Sequence, residues 1–221
     1  RGRGASFVRA RNLSNGWSHR RPGSRRVIVK SRSVRAPGRS GKAAAHLRYI
    51  QRDGTSRDGE RGQLYSATED RADGDAFVER GKEDRHQFRF IVSPEDAADL
   101  SDLTEHTRDL MSRIEGDLCT KLDWVAVNHH NTGHPHAHVI VRGKDDLGEN
   151  LVINGDYLAI GIRERASELT TLELGPVTEI EQSRKLSAEI DQDRFTRIDR
   201  AMAEEADERF LDLRHEPADA R

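Results

Sequence analysis

The sequence predicts a single domain in which helices and strands are mixed, with extensions at its ends. Its 221 residues suffice for one substantial core. Stretches of period-two hydrophobicity, the strand signal, lie among stretches whose apolar residues recur at helical spacing. Two β-rich runs, Trp124 to His129 and His136 to Val141, flank the turn sequence Asn131-Thr132-Gly133 and read as an antiparallel hairpin.

Taken in order, residues 1–25 lack apolar periodicity and read as an extended basic arm, so ordered structure is expected from about residue 26. Arg26 to Val34 is β-branched enough for a strand, and Ala36-Pro37-Gly38 supplies a turn. Residues 42–52, with three alanines and Leu47, favour a helix that stops at Asp53-Gly54 and carries Tyr49 near its end. A charged loop follows to about residue 84, with a short element at Gln63-Leu64-Tyr65 and a short helix over 75–81. His86 to Val92 alternates polar and apolar residues as a half-buried strand does. Ser93-Pro94-Glu95-Asp96 looks like a helix start, and Ala97, Leu100, Leu103, Leu110, Ile114 and Leu118 continue that helix at apolar spacing. After the hairpin, Asn154 to Leu174 reads as a helix stopped by Gly175-Pro176. The organisation expected is a basic arm over 1–25, a folded domain over 26–182, and an acidic helical extension over 183–221 leading into further domains.

Hydrophobic and charged residues each make up 34% of the chain, and no apolar run nears the ~20 residues of a spanning helix, so membrane insertion is not expected. Cys119 is the only cysteine, which excludes an internal disulfide and a thiolate zinc site. Any metal is therefore held through nitrogen and oxygen, and a reducing, cytoplasmic setting fits. The chain opens on Arg1 rather than Met, so a piece of a longer product is expected.

The net charge of −2 conceals an asymmetry: residues 1–62 hold 17 basic side chains against three acidic ones, and the remainder holds 20 against 36. Basic residues interleaved with Gly and Ser, among them Arg25, Arg26, Lys30 and Lys42, suit the neutralisation of phosphates along a strand. A polyanion is the expected partner; a merely solvated arm is the competing reading.

Five of the ten histidines fall within ten residues: His129, His130, His134, His136 and His138. His136 and His138 share one face of a strand. If residues 131–134 form the loop, His129 lies opposite His136 and completes a three-imidazole site. A slip of one residue would substitute His130, and His134 is a further candidate. Three neutral nitrogen ligands leave open coordination positions, as at a site that binds substrate, and their chemistry accepts Zn, Mn, Fe or Ni. Tyr49 is flanked by Arg48 and Arg52, placed to neutralise a phosphodiester beside an attacking tyrosine.

These residues resemble the conjugative relaxases, or plasmid mobilisation nucleases, of the HUH endonuclease superfamily, closest to the branch of the T-DNA border endonuclease. His129-His130-Asn131-Thr132-Gly133-His134-Pro135-His136-Ala137-His138-Val139-Ile140-Val141 is similar to that branch's third motif. His46-Leu47-Arg48-Tyr49-Ile50 resembles its first, and Asn154-Gly155-Asp156-Tyr157 with Arg163, Arg165 and Ala166 resembles the helix after the metal hairpin. The resemblance implies an α+β fold, an antiparallel sheet flanked by helices, with both histidine strands central and the tyrosine helix beside them. It implies that Tyr49 attacks a phosphodiester at an origin-of-transfer nick site, single-stranded or supercoiled, and stays on the 5′ end while a 3′-OH is released. His129, His136 and His138 would hold a divalent ion, Mg or Mn as family members usually receive, with Zn also acceptable to imidazoles; His129 is either a ligand or the catalytic base. Arg25, Arg26, Lys30, Lys42, Arg48 and Arg52 would contact DNA, and relaxosome accessory proteins and a coupling protein would be partners. Asn131 and Gly133 stand where related motifs often carry aspartates, so a carboxylate that orients a histidine is either missing or comes from elsewhere. Two rivals are a histidine-triad nucleotide hydrolase or transferase, in which a histidine attacks phosphate without metal, and a DNA-binding module that does not cut.

Overall fold

Four strands pair into one antiparallel sheet in a computed structural model that describes residues 22–35, 42–52, 56, 59–130 and 134–190. They are β1 (Val27–Arg35), β2 (His86–Pro94), β3 (Trp124–His129) and β4 (His136–Arg142), in the order β1-β2-β4-β3. The helices are α1 (Lys42–Ile50), α2 (Gly74–Arg80), α3 (Leu103–Leu118), α4 (Ile162–Leu174), which a π-helical turn at Tyr157–Gly161 leads into, and α5 (Glu179–Ile190). The chain divides into two units, Arg1–Pro176 and Val177–Arg221, the second containing α5. The expected arm over 1–21, the turns at 36–38 and 131–133, the stop at Asp53-Gly54 and the extension beyond 190 lie outside the described residues.

Alternation along the strands splits the core between two faces of the sheet. Phe88, Phe90 and Val92 of β2, Ala126 of β3, and Val139 and Val141 of β4 pack with Leu110, Ile114 and Leu118 of α3 and with Ile162 and Ala166 of α4. Val125 and Val127 of β3 and Ile140 of β4 turn the other way, onto Leu47 and Ile50 of α1 and Phe77 of α2. With both faces covered, Trp124 to Val127 are all buried, which is why β3 reads as a continuous apolar run.

β4 lies inside the sheet, whereas β3 is last in the order, so only one histidine strand is central. Tyr65 bridges to Ala126 with two backbone hydrogen bonds of 2.9 Å and so occupies the outer edge of β3. Gly143, just after β4, passes so close to β2 that a Cβ would run into the carbonyl oxygen of His86. The end of the hairpin away from the histidines is fixed by ions. Arg142 makes paired hydrogen bonds of 2.9 Å to buried Asp84, and Asp123 accepts from both Arg142 and Arg80. Asp117 on α3 accepts from the Tyr157 hydroxyl at 2.7 Å and takes a bidentate pair from Arg165, which ties α3 to α4.

Two further expectations are corrected. The helix expected from Ser93-Pro94 begins at Leu103, because Pro94 is still paired with Val27 in the sheet and the capping carboxylate belongs to Asp102, which accepts from the amides of Thr104 and Glu105. Order extends N-terminal to residue 26, and Arg25 is not available to DNA: it is 6% exposed. Its guanidinium donates to Asp96 at 2.9 Å and to the carbonyls of Leu174 and Gly175 at the end of α4. A cation that meets the free carbonyls of a helix end and a near-buried carboxylate holds structure together. Arg25→Ala removes this near-buried ion pair together with two bonds to helix-end carbonyls and is expected to lower unfolding free energy by about 3 kcal/mol, read from the urea midpoint at constant slope.

Candidate active site

The pairing of β3 with β4 sets His129 directly opposite His136, and His138 is two residues on along the same face. The ring centroids are 4.3 Å apart for His129 and His138, 5.0 Å for His136 and His138, and 5.3 Å for His129 and His136. One nitrogen from each of the three lies within 4.8 Å of the others, close enough to meet a single ion. His129 is 1% exposed, and its Nε2 meets the carbonyl oxygen of Ile50 at 2.6 Å. A carbonyl only accepts, so Nε2 carries the hydrogen and Nδ1 keeps the lone pair. His136 is oriented in the same way from the other nitrogen: its Nδ1 donates to the carbonyl of His134 at 3.0 Å. Backbone carbonyls thus do what a neighbouring carboxylate does at many metal sites.

Burial keeps His129 and His138 neutral. It holds His129 below the ordinary histidine range, aided by the neighbouring His136 and Arg52, against the opposing pull of the Ile50 carbonyl. Burial lowers His138 to about 3, and its neighbours His129, His136, His46 and Arg52 likewise disfavour its protonation. Neutral nitrogen is the form that ligates a cation. The donor set therefore fits a divalent ion. With one nitrogen of His129 committed to Ile50, a single lone pair remains, and it serves as ligand or as base but not as both.

Ile50 is the last residue of α1, so the helix that orients His129 also carries Tyr49. Tyr49 is 60% exposed, in contrast to Tyr65 at 4% and Tyr157 at 0%, both of which are pushed well above the usual phenol range chiefly by burial. Their hydroxyls donate to Asn128 and Asp117. Tyr49 alone among the three tyrosines offers its phenol to solvent. Its ring stacks on His46 at 6.3 Å between centroids, and the Arg52 guanidinium lies 4.9 Å from the ring centre. His46 is itself lowered to about 4, by burial first and then by Arg89.

The other candidates spread more widely. Arg48 is exposed on α1 beside Tyr49, and Lys30 is exposed on β1. Arg26 pairs with Glu95. The side chain of Lys42 lies outside the described residues. His134 is exposed and lends its carbonyl, and His130 lines a cavity of about 460 Å³ with Tyr65 and Asn128, so neither joins the three clustered rings. Residue type alone singles out neither His46 nor the Ile50 carbonyl. Helical spacing of three residues from Tyr49 points to His46, whereas a backbone carbonyl leaves no mark in a sequence.

Residues 56–160 match the family model of the MobA/VirD2-like relaxase nuclease domain. No curated protein matches the chain. The match covers β2, β3, β4 and all three clustered histidines and starts C-terminal to Tyr49. No helix among the described residues is long and apolar enough to cross a membrane.

The depressed histidines set a pH dependence. Between the folded values of about 3 for His138 and about 4 for His46 and the unfolded value of 6.5, the unfolded chain binds more protons. Stability of the metal-free protein is therefore complete above about pH 6.5 and falls as pH drops through that window. Urea unfolding in EDTA at about pH 7.5 and about pH 5 should show the loss, and His138→Asn should reduce it.

Proposed function

We propose, from the membership of residues 56–160 in the MobA/VirD2-like relaxase nuclease family of HUH endonucleases, that the chain nicks one strand of origin-of-transfer DNA by tyrosine transesterification. The observation that carries this reading is the cluster of three imidazoles, one of them bonded to the end of the helix that bears the one exposed tyrosine. In the proposed step the Tyr49 oxygen forms a bond to phosphorus as the bond from phosphorus to the 3′ oxygen breaks. The phenol loses its proton and the departing 3′ oxygen gains one, leaving a 5′-phosphotyrosine and a free 3′-OH. One ester replaces another, so resealing is the same step reversed.

His129, His136 and His138 would hold a divalent ion, Mg or Mn, with Zn compatible with the same nitrogens. Such an ion supplies Lewis acidity toward the phosphate oxygens, where charge develops. Arg52, beside both the Tyr49 ring and the histidines, is placed to receive the phosphate, and Arg48 continues the cationic surface. The role fits plasmid mobilisation in the cytoplasm, with accessory proteins and a coupling protein as partners.

The reading is tested with labelled single-stranded DNA or supercoiled plasmid carrying the cognate origin, in Mg or Mn and in EDTA, followed by denaturing gels and peptide mapping. A metal-dependent adduct on Tyr49 is expected, absent in Tyr49→Phe. His136→Ala should cost more than the ~10–100-fold typical of losing a group that only orients a ligand. Phosphate on His134, His136 or His138 would point to a nucleotide transferase, and tight DNA binding with no adduct would leave a binding module.

A further inference from the structure

The face of the sheet that carries the histidines continues past β4 onto β2 and β1. The pairing runs Lys30 opposite Ile91 and Ile91 opposite His138, and in the neighbouring row Arg32 opposite Arg89 and Arg89 opposite Ile140. Directly opposed residues share a face, so Lys30, Arg32 and Arg89 stand on the same side as His138. Helices α1 and α2 pack over the β3 and β4 part of this face, onto Val125, Val127 and Ile140. The β1 part stays open: Ile28 is 40% exposed, and Lys30 and Arg32 are exposed.

The charges in this row are not compensated as they are elsewhere in the fold. Arg25, Arg80, Arg142 and Arg165 each rest on a carboxylate. Lys30, Arg32 and Arg89 pair with no acid among the described residues. Arg89 donates to the Gln87 amide oxygen, a neutral acceptor. Two guanidinium groups face one another directly across a strand pair, an arrangement that destabilises a sheet. Burial and the charge of Arg32 both act against the protonated form of Arg89. A fold that keeps such a pair with no counter-ion among the described residues is arranged for an external anion.

We infer that Lys30, Arg32 and Arg89 form a phosphate track for single-stranded DNA that leads across β1 and β2 to the histidine cluster on β4. The track rests on the reading of that cluster as a DNA-nicking centre. Neighbouring strands are ~4.8 Å apart, so β1 lies about 10 Å from β4, a distance that one short stretch of a single strand spans. Ile28 and Ile91, set among the cations, give unpaired bases an apolar surface. His46 on α1 also faces Arg89, which joins the track to the helix of Tyr49.

The test uses the full chain and fluorescein-labelled single strands of several unrelated sequences, with anisotropy followed over a salt series. Arg32→Glu places a carboxylate opposite Arg89, so it is expected to raise the thermal midpoint while weakening binding to every sequence. The slope of log affinity against log salt should fall in magnitude by ~0.7 for each phosphate that is no longer neutralised, for Arg32→Gln and Lys30→Ala as well. Unchanged affinity and slope would overturn the track, as would a weakening confined to one sequence, which marks a base contact. A lower thermal midpoint in Arg32→Glu would also overturn it, since Arg32 would then face an acidic segment of its own chain. Adduct formation at Tyr49 is scored separately. Binding that depends on Arg32 without an adduct keeps the track and removes the nuclease reading, and an adduct with an unchanged salt slope does the reverse.

Discussion

The hydrogen bond from the His129 ring to the carbonyl of Ile50, at 2.6 Å, is the contact on which the site depends. The last carbonyls of a helix have no partner within it and carry the negative end of its dipole. Here one of them is met by an imidazole N–H from the end of β3. Ile50 is fully buried against Val125 and Val127 of the same strand, so helix and strand are locked by packing as well as by the bond. The bond fixes which nitrogen of His129 is left for an ion, and it fixes the end of the helix one residue beyond Tyr49. Ligand orientation and tyrosine placement are therefore one constraint, which lets Asn131 and Gly133 stand without a carboxylate between them.

Around that contact the molecule distributes its charges in two ways. Away from the histidines they are neutralised by geometry: Asp84 and Asp123 with Arg142 and Arg80, and Asp117 with Arg165. These pairs are bidentate or shared; those at Asp84 and Asp123 tie α2 and its following turn to β4, and that at Asp117 ties α3 to α4. On the histidine face Lys30, Arg32 and Arg89 have no such carboxylates among the described residues, and His129 and His138 are held neutral by burial. The histidine face thus presents an electron-rich cluster beside a cationic surface, an arrangement complementary to a cation and a polyanion together.

Much of this is legible in the sequence, because the signals are periodic. The strand period of two places His136 and His138 on one face, and loop length fixes the register that opposes His129 to His136; the structure has that register. The helix of Tyr49 and the strands follow from patterning alone. What escapes a sequence reading is set by distance in the chain. Arg25 reads as part of a basic arm by its neighbours, yet its partners are Asp96 and the end of α4, some 150 residues away in the case of Gly175. Ser93-Pro94 looks like a helix start until the pairing of Pro94 with Val27 is known, after which Asp102 is the cap. The opposition of Arg32 and Arg89 exists only once β1 lies on β2.

In the proposed site, the end of the tyrosine helix sets the His129 tautomer and with it the nitrogen offered to an ion. Two-bond nitrogen–proton correlation spectra of the ¹⁵N-histidine-labelled protein, recorded before and after a diamagnetic divalent ion such as Zn is added, test it directly. The account predicts His129 as the Nε2–H tautomer without metal. On titration, Nδ1 of His129 and one nitrogen each of His136 and His138 should shift together, with the amides around Ile50 following. An Nδ1–H tautomer for His129, or shifts that leave it unmoved, would contradict the account.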